Sequence, residues 1–179
     1  MRMRAVFVGE GGSVTLDDTP TPGPDWRDDE AIRWLIVENA TAAELAGIFD
    51  QLQVRGQLIA DHIHGEHSTL WREHQGHAIV ALPEPTSWMP TRTWFHLVSL
   101  PRCLVSVHSS EISSLDGFLR RWWIDRPGPE PTMEDVLLCI LEGLASEEIG
   151  EFSRIRYEIE GHADGLRRGD PAFTVEHLE

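Results

Sequence analysis

Lysine is absent from this 179-residue chain, and all 15 basic residues are arginine. Against them stand 30 acidic residues, which leaves a net charge of −15. A chain so short of positive charge repels nucleic acid and anionic lipid and attracts cations. Nucleic-acid binding, which needs a clustered basic face, is excluded on that ground. Cysteine is also scarce. Cys103 and Cys139 stand alone, neither within a CxxC pair, and read as two thiols of a reducing compartment rather than a disulfide. No apolar run approaches the roughly 20 residues that a membrane helix requires. The basic opening Met1-Arg2-Met3-Arg4 is followed by only Ala5 to Val8, so no signal peptide is expected. Motifs for common chemistry are missing too. Gly9-Glu10-Gly11-Gly12 lacks the spacing and lysine of a phosphate loop. There is no Gly-x-Ser-x-Gly elbow, and His108 beside Ser109 and Ser110 is not evidence of a triad.

What is present describes one domain with a real core, seven tryptophans included. Ala5 to Val8 and Ser13 to Leu16 flank a glycine cluster and read as a β-hairpin. Ile32 to Val37 reads as a strand containing Trp34. Thr41-Ala42-Ala43-Glu44 is a capping box that opens a helix with Leu45, Ile48, Phe49 and Leu52 on one face. A short helix is expected over Leu58 to Ile63, and strands over Leu70-Trp71 and Ala78 to Leu82. Pro83 to Pro90 reads as a loop. Trp94 to Leu100 and Cys103 to His108 read as a second hairpin, whose alternating Val105, Ser106, Val107 and His108 suggest one wet face.

Ser113 to Asp116 is a second capping box, for a helix to about Ile124, with Trp122-Trp123 packing one ring inward. Thr132 to Asp135 is a third. It opens a helix of ~35 residues, or about 50 Å, with Leu137, Leu141, Leu144, Phe152, Ile155 and Ile159 as its apolar stripe. Either Gly161 and Gly165 end that helix early, or it projects toward a partner. The order of elements predicts an α/β (α+β) fold: a three-layer α/β/α arrangement with a mixed sheet, then a long C-terminal helix or helical pair. The expected organisation is a core over residues 1–126 and a long helical segment over 127–179.

Several of these pieces, in this order, resemble the CorA/ZntB family of divalent-metal transporters. Trp34-Leu35-Ile36-Val37 is similar to the family's strand before a capped helix. Ile59-Ala60-Asp61-His62-Ile63 resembles its Leu-Glu-Asp-Ile segment, and Ile79-Val80 its following strand. Leu104-Val105-Ser106-Val107-His108 resembles its second hairpin, and Leu115 to Trp123 the helix that closes its core. Asp135-Val136-Leu137-Leu138, then Leu141, is similar to the opening of its long helix. The likeness covers about residues 30 to 170 and lies in order and spacing. The sequence departs from the family pattern at His67-Ser68-Thr69, where an Arg-Pro-Lys segment would stand, and at Ala60, where a Glu would. The Gly-Met-Asn signature and the two membrane helices are missing from these residues.

The resemblance implies the regulatory, metal-sensing cytosolic domain of a homopentameric magnesium, cobalt or zinc transporter, at the cytoplasmic face of the membrane, and not an enzyme. It implies acidic sensor sites between subunits, binding Mg²⁺ or Co²⁺ through carboxylate and water oxygens. Asp61 carries over as a candidate ligand, with Glu147 and Glu148 beside it. The ending Glu176-His177-Leu178-Glu179 is compatible with a tag scar, which favours a fragment of such a transporter.

A separate signal is His62-Ile63-His64-Gly65-Glu66-His67. Imidazoles at this spacing can ligate zinc, and the pattern resembles the His-x-His-x-Asp-His signature of metallo-β-lactamases. On that alternative His62, His64 and His67 hold Zn²⁺ in a hydrolase. The acid is Glu66 rather than Asp, and further ligands are hard to find, since His96 and His108 fall in strands. A third alternative is a stand-alone soluble interaction domain built on the same scaffold.

Overall fold

In the computed structural model, residues 1–9, 13–27, 31–65, 71–74, 77–83, 94–109 and 132–168 are described. Strand β1 (Arg2–Val8) turns back through Gly9, whose N–H donates to the Ser13 carbonyl at 2.9 Å, into β2 (Val14–Asp17). β1 also pairs antiparallel with β3 (Ile32–Glu38). On the other side β4 (Trp71–His74), β5 (His77–Pro83), β6 (Trp94–Ser99) and β7 (Cys103–His108) form an antiparallel meander. The two halves join where β3 and β7 pair in parallel, Arg33 opposite Cys103 and Glu38 opposite His108. The result is a mixed seven-stranded sheet in the order β2-β1-β3-β7-β6-β5-β4.

Every residue of β3 and of β7 is buried, so the expected wet face of β7 does not exist. The reason is position: both strands are central and are covered on both faces, as parallel strands usually are. Ser106, which suggested that wet face, accepts a hydrogen bond from the Trp34 indole N–H at 2.9 Å.

One face is covered by a helical hairpin, α1 (Ala42–Gln51) and α2 (Gly56–His64). Thr41 caps α1 as the sequence indicates. Its hydroxyl accepts from the Glu44 N–H at 3.3 Å, and its own N–H donates to the Glu44 carboxylate at 2.8 Å. The Thr41 N–H first, and then the Thr41 hydroxyl, which donates to the same carboxylate at 2.9 Å, hold the exposed Glu44 carboxyl below its ordinary value. Gln53 adopts a left-handed φ of 56° in the turn, and the Gly56 N–H donates to the Asp50 carboxylate at 3.0 Å. α2 therefore starts two residues before Leu58. A Cβ on Gly56 would meet the Ala46 carbonyl oxygen at 2.0 Å, so glycine sets how closely the two helices approach. Leu45, Phe49, Ile59 and Ile63 form one cluster with Leu35, Val37, Val98 and Val105 from the sheet.

The opposite face carries the second cluster, in which Trp34, Ile36, Phe95 and Leu104 meet helix α3 (Met133–Arg168). Thr132 and Asp135 cap this helix reciprocally, with bonds of 2.7 and 3.3 Å. The layers are thus helices, sheet and helix, and the expected α/β/α arrangement with a mixed sheet and long C-terminal helix is what the chain adopts. The seam of α3 is Val136, Ile140 and Leu144; of the expected stripe, Leu144 lies in this seam and Leu137 packs half-buried against the same cluster. An i, i+4, i+8 row lies along one face of a helix, and this row meets the sheet, while Leu141 is exposed. α3 does not end at Gly161 or Gly165. At 36 residues it is about 54 Å long, and beyond Leu144 it exposes Ile149, Phe152, Tyr157 and Ile159. Ion pairs Arg154–Glu158 and Arg156–Glu160, one turn apart, support this outer half.

In the sheet Arg4 forms a buried ion pair with Glu38 at 2.8 Å, and Arg2 lies 3.7 Å from the same carboxylate. At the other end Arg33 lies over the rings of Phe7 and Trp26, 5.7 and 5.5 Å from their centroids. The expected helix from Ser113 to Ile124, with Trp122 and Trp123, lies outside the described residues, as does most of the loop after Pro83.

Candidate functional site

α2 presents Asp61 to solvent, where its carboxylate accepts a 2.6 Å hydrogen bond from Gln57 one turn earlier. Glu148 is exposed on α3, and the Glu147 side chain lies outside the described ones. α2 and the buried seam of α3 belong to clusters on opposite faces of the sheet. Within one chain, Asp61 and the α3 acids therefore belong to different layers.

His62 and His64 are both on α2, the first half-buried and the second exposed. Residues two apart on a helix do not share a face. Glu66 and His67 lie outside the described residues. Among the described residues no group of three His, Cys, Asp or Glu side chains is arranged to hold a metal ion.

His64 instead lines a cleft of about 410 Å³, together with Asn39, Trp94, His96, His108 and Ser109. Asn39 closes β3 in a left-handed conformation, φ 52°, and its N–H donates to the His108 carbonyl at 3.0 Å. That bond ties the ends of the parallel pair together at the cleft floor. His96 is the register partner of Val107, and the His108 ring stacks on Phe95 with centroids 5.6 Å apart. His96 and His108 are buried, whereas His64 is exposed and Trp94 half-buried at the rim. The sequence pattern places His96 and His108 in strands, as found, but carries no local signal that brings them to the same cleft as His64. Only the pairing of β3, β7 and β6 does that.

No protein-family model and no curated protein sequence matches this chain. Solved structures do. The soluble domain of CorA from Methanocaldococcus jannaschii superposes with a TM-score of 0.62 at 14% identity, covering 92% of this chain and 64% of that one. The ZntB cytoplasmic domain from Vibrio parahaemolyticus gives 0.64 at 10% identity, covering 96% of this chain and 67% of that one. This is the fold of the CorA and ZntB soluble domains. The complete CorA magnesium transporter from M. jannaschii matches at a TM-score of 0.59 and 14% identity, over 92% of this chain and 50% of the transporter. The chain thus spans about half to two thirds of the length of the CorA structures it matches. Among the described residues, no helix is long and apolar enough to cross a membrane.

Proposed function

We propose that this chain serves as the cytosolic, metal-sensing regulatory domain of a CorA-like divalent-cation transporter, and not as an enzyme. The observation that carries this reading is the fold, shared over more than nine tenths of the chain with CorA and ZntB soluble domains. Two further features support it. The outer half of α3 exposes Ile149, Phe152, Tyr157 and Ile159, which a second copy of the chain would cover. The net charge of −15 makes copies repel one another until a divalent cation bridges them.

On this reading Asp61 of one copy and Glu148, with Glu147, of a neighbour supply carboxylate oxygens to Mg²⁺ or Co²⁺. Their placement in different layers of a single chain fits a site shared between chains. Binding favours the assembled state by its differential affinity for it. The test is sedimentation velocity of the full chain with and without magnesium chloride at roughly millimolar levels. The expected result is a mass that rises to a multiple of 20.2 kDa with Mg²⁺, and an Asp61→Asn variant that needs more Mg²⁺ for the same rise. A chain whose mass is indifferent to Mg²⁺ and Co²⁺ would refute the sensing role.

A further inference from the structure

α3 carries a second apolar row besides the one that meets the sheet. The first is Val136, Ile140 and Leu144, which are buried. About a third of a turn round the helix, Leu138, Ala145, Phe152 and Ile159 follow one another at intervals of seven. Leu141 and Ile155 stand three residues after Leu138 and Phe152. Leu138, Phe152 and Ile159 are more than half exposed in the folded chain, and Leu141 more than a third. Apolar residues at a and d of successive heptads are the seam of a coiled coil, so this row fits another helix rather than a sheet or a flat surface.

Charge says which helix, and in which direction. Between Met133 and Glu151 α3 has six acids and no base; between Phe152 and Arg168 it has four arginines and three acids. A parallel pair of such helices would lay acidic half on acidic half and set Glu148, at a d position, against its own copy. An antiparallel pair lays the acidic half of each along the arginine-bearing half of the other. We propose that two copies of this chain pair antiparallel along this row, the projecting half of each α3 covering the outer row of the other's inner half. In the register that sets Glu142 of one copy beside Arg156 of the other, Leu141 faces Ile159 and Ala145 faces Ile155. Each contact occurs twice about the two-fold axis. Arg156 keeps donors for this contact, because its side chain is 78% exposed even when bonded to Glu160. Glu148 meets Phe152 instead of a second Glu148. The pairing needs no metal and does not rest on the transporter reading.

The full chain is run by sedimentation equilibrium in EDTA and roughly 0.15 M salt, where repulsion between the acidic bodies is screened beyond about 8 Å. The expected result is a dimer of twice 20.2 kDa with a Kd of roughly ten micromolar or below. Ile159→Glu should weaken it roughly tenfold or more, by putting a charge in the seam. Gly161→Glu adds the same charge off the row, where a Cβ meets nothing within 4 Å, and should leave the dimer as it is. Direction is read by mild oxidation in a Cys139→Ser background, the buried Cys103 being kept. The double variant Leu141→Cys with Ile159→Cys should give a covalent dimer, and neither single variant should. A monomer up to roughly 100 micromolar, an Ile159→Glu chain that pairs like the parent, or single variants that cross-link to themselves, as a parallel pair would, would each overturn the proposal. A dimer in EDTA whose mass is then indifferent to Mg²⁺ would uphold this pairing while refuting the sensing role.

Discussion

Replacing Gly56 by Ala places a methyl group 2.0 Å from the Ala46 carbonyl oxygen, with the Ala46 C and Cα at 2.7 and 2.9 Å. All three atoms are backbone of α1, so no side chain can swing away. The helices must part by more than 1 Å to restore ordinary contact near 3.4 Å. That separation loosens the seam that seats Leu45, Phe49, Ile59 and Ile63 in one cluster. Overpacking of this kind costs about 1–3 kcal/mol, and a rigid backbone neighbour puts it in the upper part of that range. Better helix propensity at the first position of α2 returns less than about 1 kcal/mol. The net loss is about 2 kcal/mol, a fall in Tm of roughly 4–8 °C for a chain of this size. Gly47 is the control. It is exposed on α1 and a Cβ there meets nothing within 4 Å. Gly47→Ala should therefore stabilise by about 0.5–1 kcal/mol. Thermal and urea denaturation of both variants measure the contrast. A Gly56→Ala protein that melts with the parent would refute the close approach of α1 and α2.

Burial pushes the Cys103 thiol up to about 12 from 9.0, with Arg33 and a bond from the Leu35 backbone only partly opposing it. Between those values the folded chain holds a proton that the unfolded chain has lost, so stability falls as pH rises above about 9. By about pH 10.5 the loss is about 2 kcal/mol, and Cys103→Ala should flatten that slope in urea titrations at several pH values. Arg4→Met leaves the Glu38 carboxylate buried with only the longer Arg2 contact, and should cost about 3–5 kcal/mol by urea denaturation. Arg4→Met combined with Glu38→Leu should recover most of that loss, because the uncompensated charge is gone.

Local signals in this sequence translate directly into structure. Thr41 with Glu44 and Thr132 with Asp135 start helices where the capping pattern says they should, because a cap is a contact within four residues. Trp94 to Leu100 and Cys103 to His108 form their hairpin for the same reason. The misreadings involve distant partners. Ser106 looked solvated because its partner, Trp34, is 72 residues away. The expected stripe of α3 holds at Leu137 and Leu144, but the sheet also selects Val136 and Ile140 and leaves Leu141 exposed. Gly56 gave no local hint that it abuts α1. The cleft was least legible, since His64, His96 and His108 come to its lining through a strand order that no short window contains.

The joint between β3 and β7 also bears on how the sheet is built in time. β2, β1 and β3 pair with close neighbours in sequence, and so do β4 to β7. Arg33 and Cys103, by contrast, are paired across 70 positions. Each local meander can assemble early, but the joint must wait for the closure of a long loop, whose entropy opposes it until the apolar layers meet. Trp34 lies on that joint, and its indole bonds to Ser106 across it. Two half-sheets that form separately and then zip along one central line make Trp34 a natural reporter of the last step of folding.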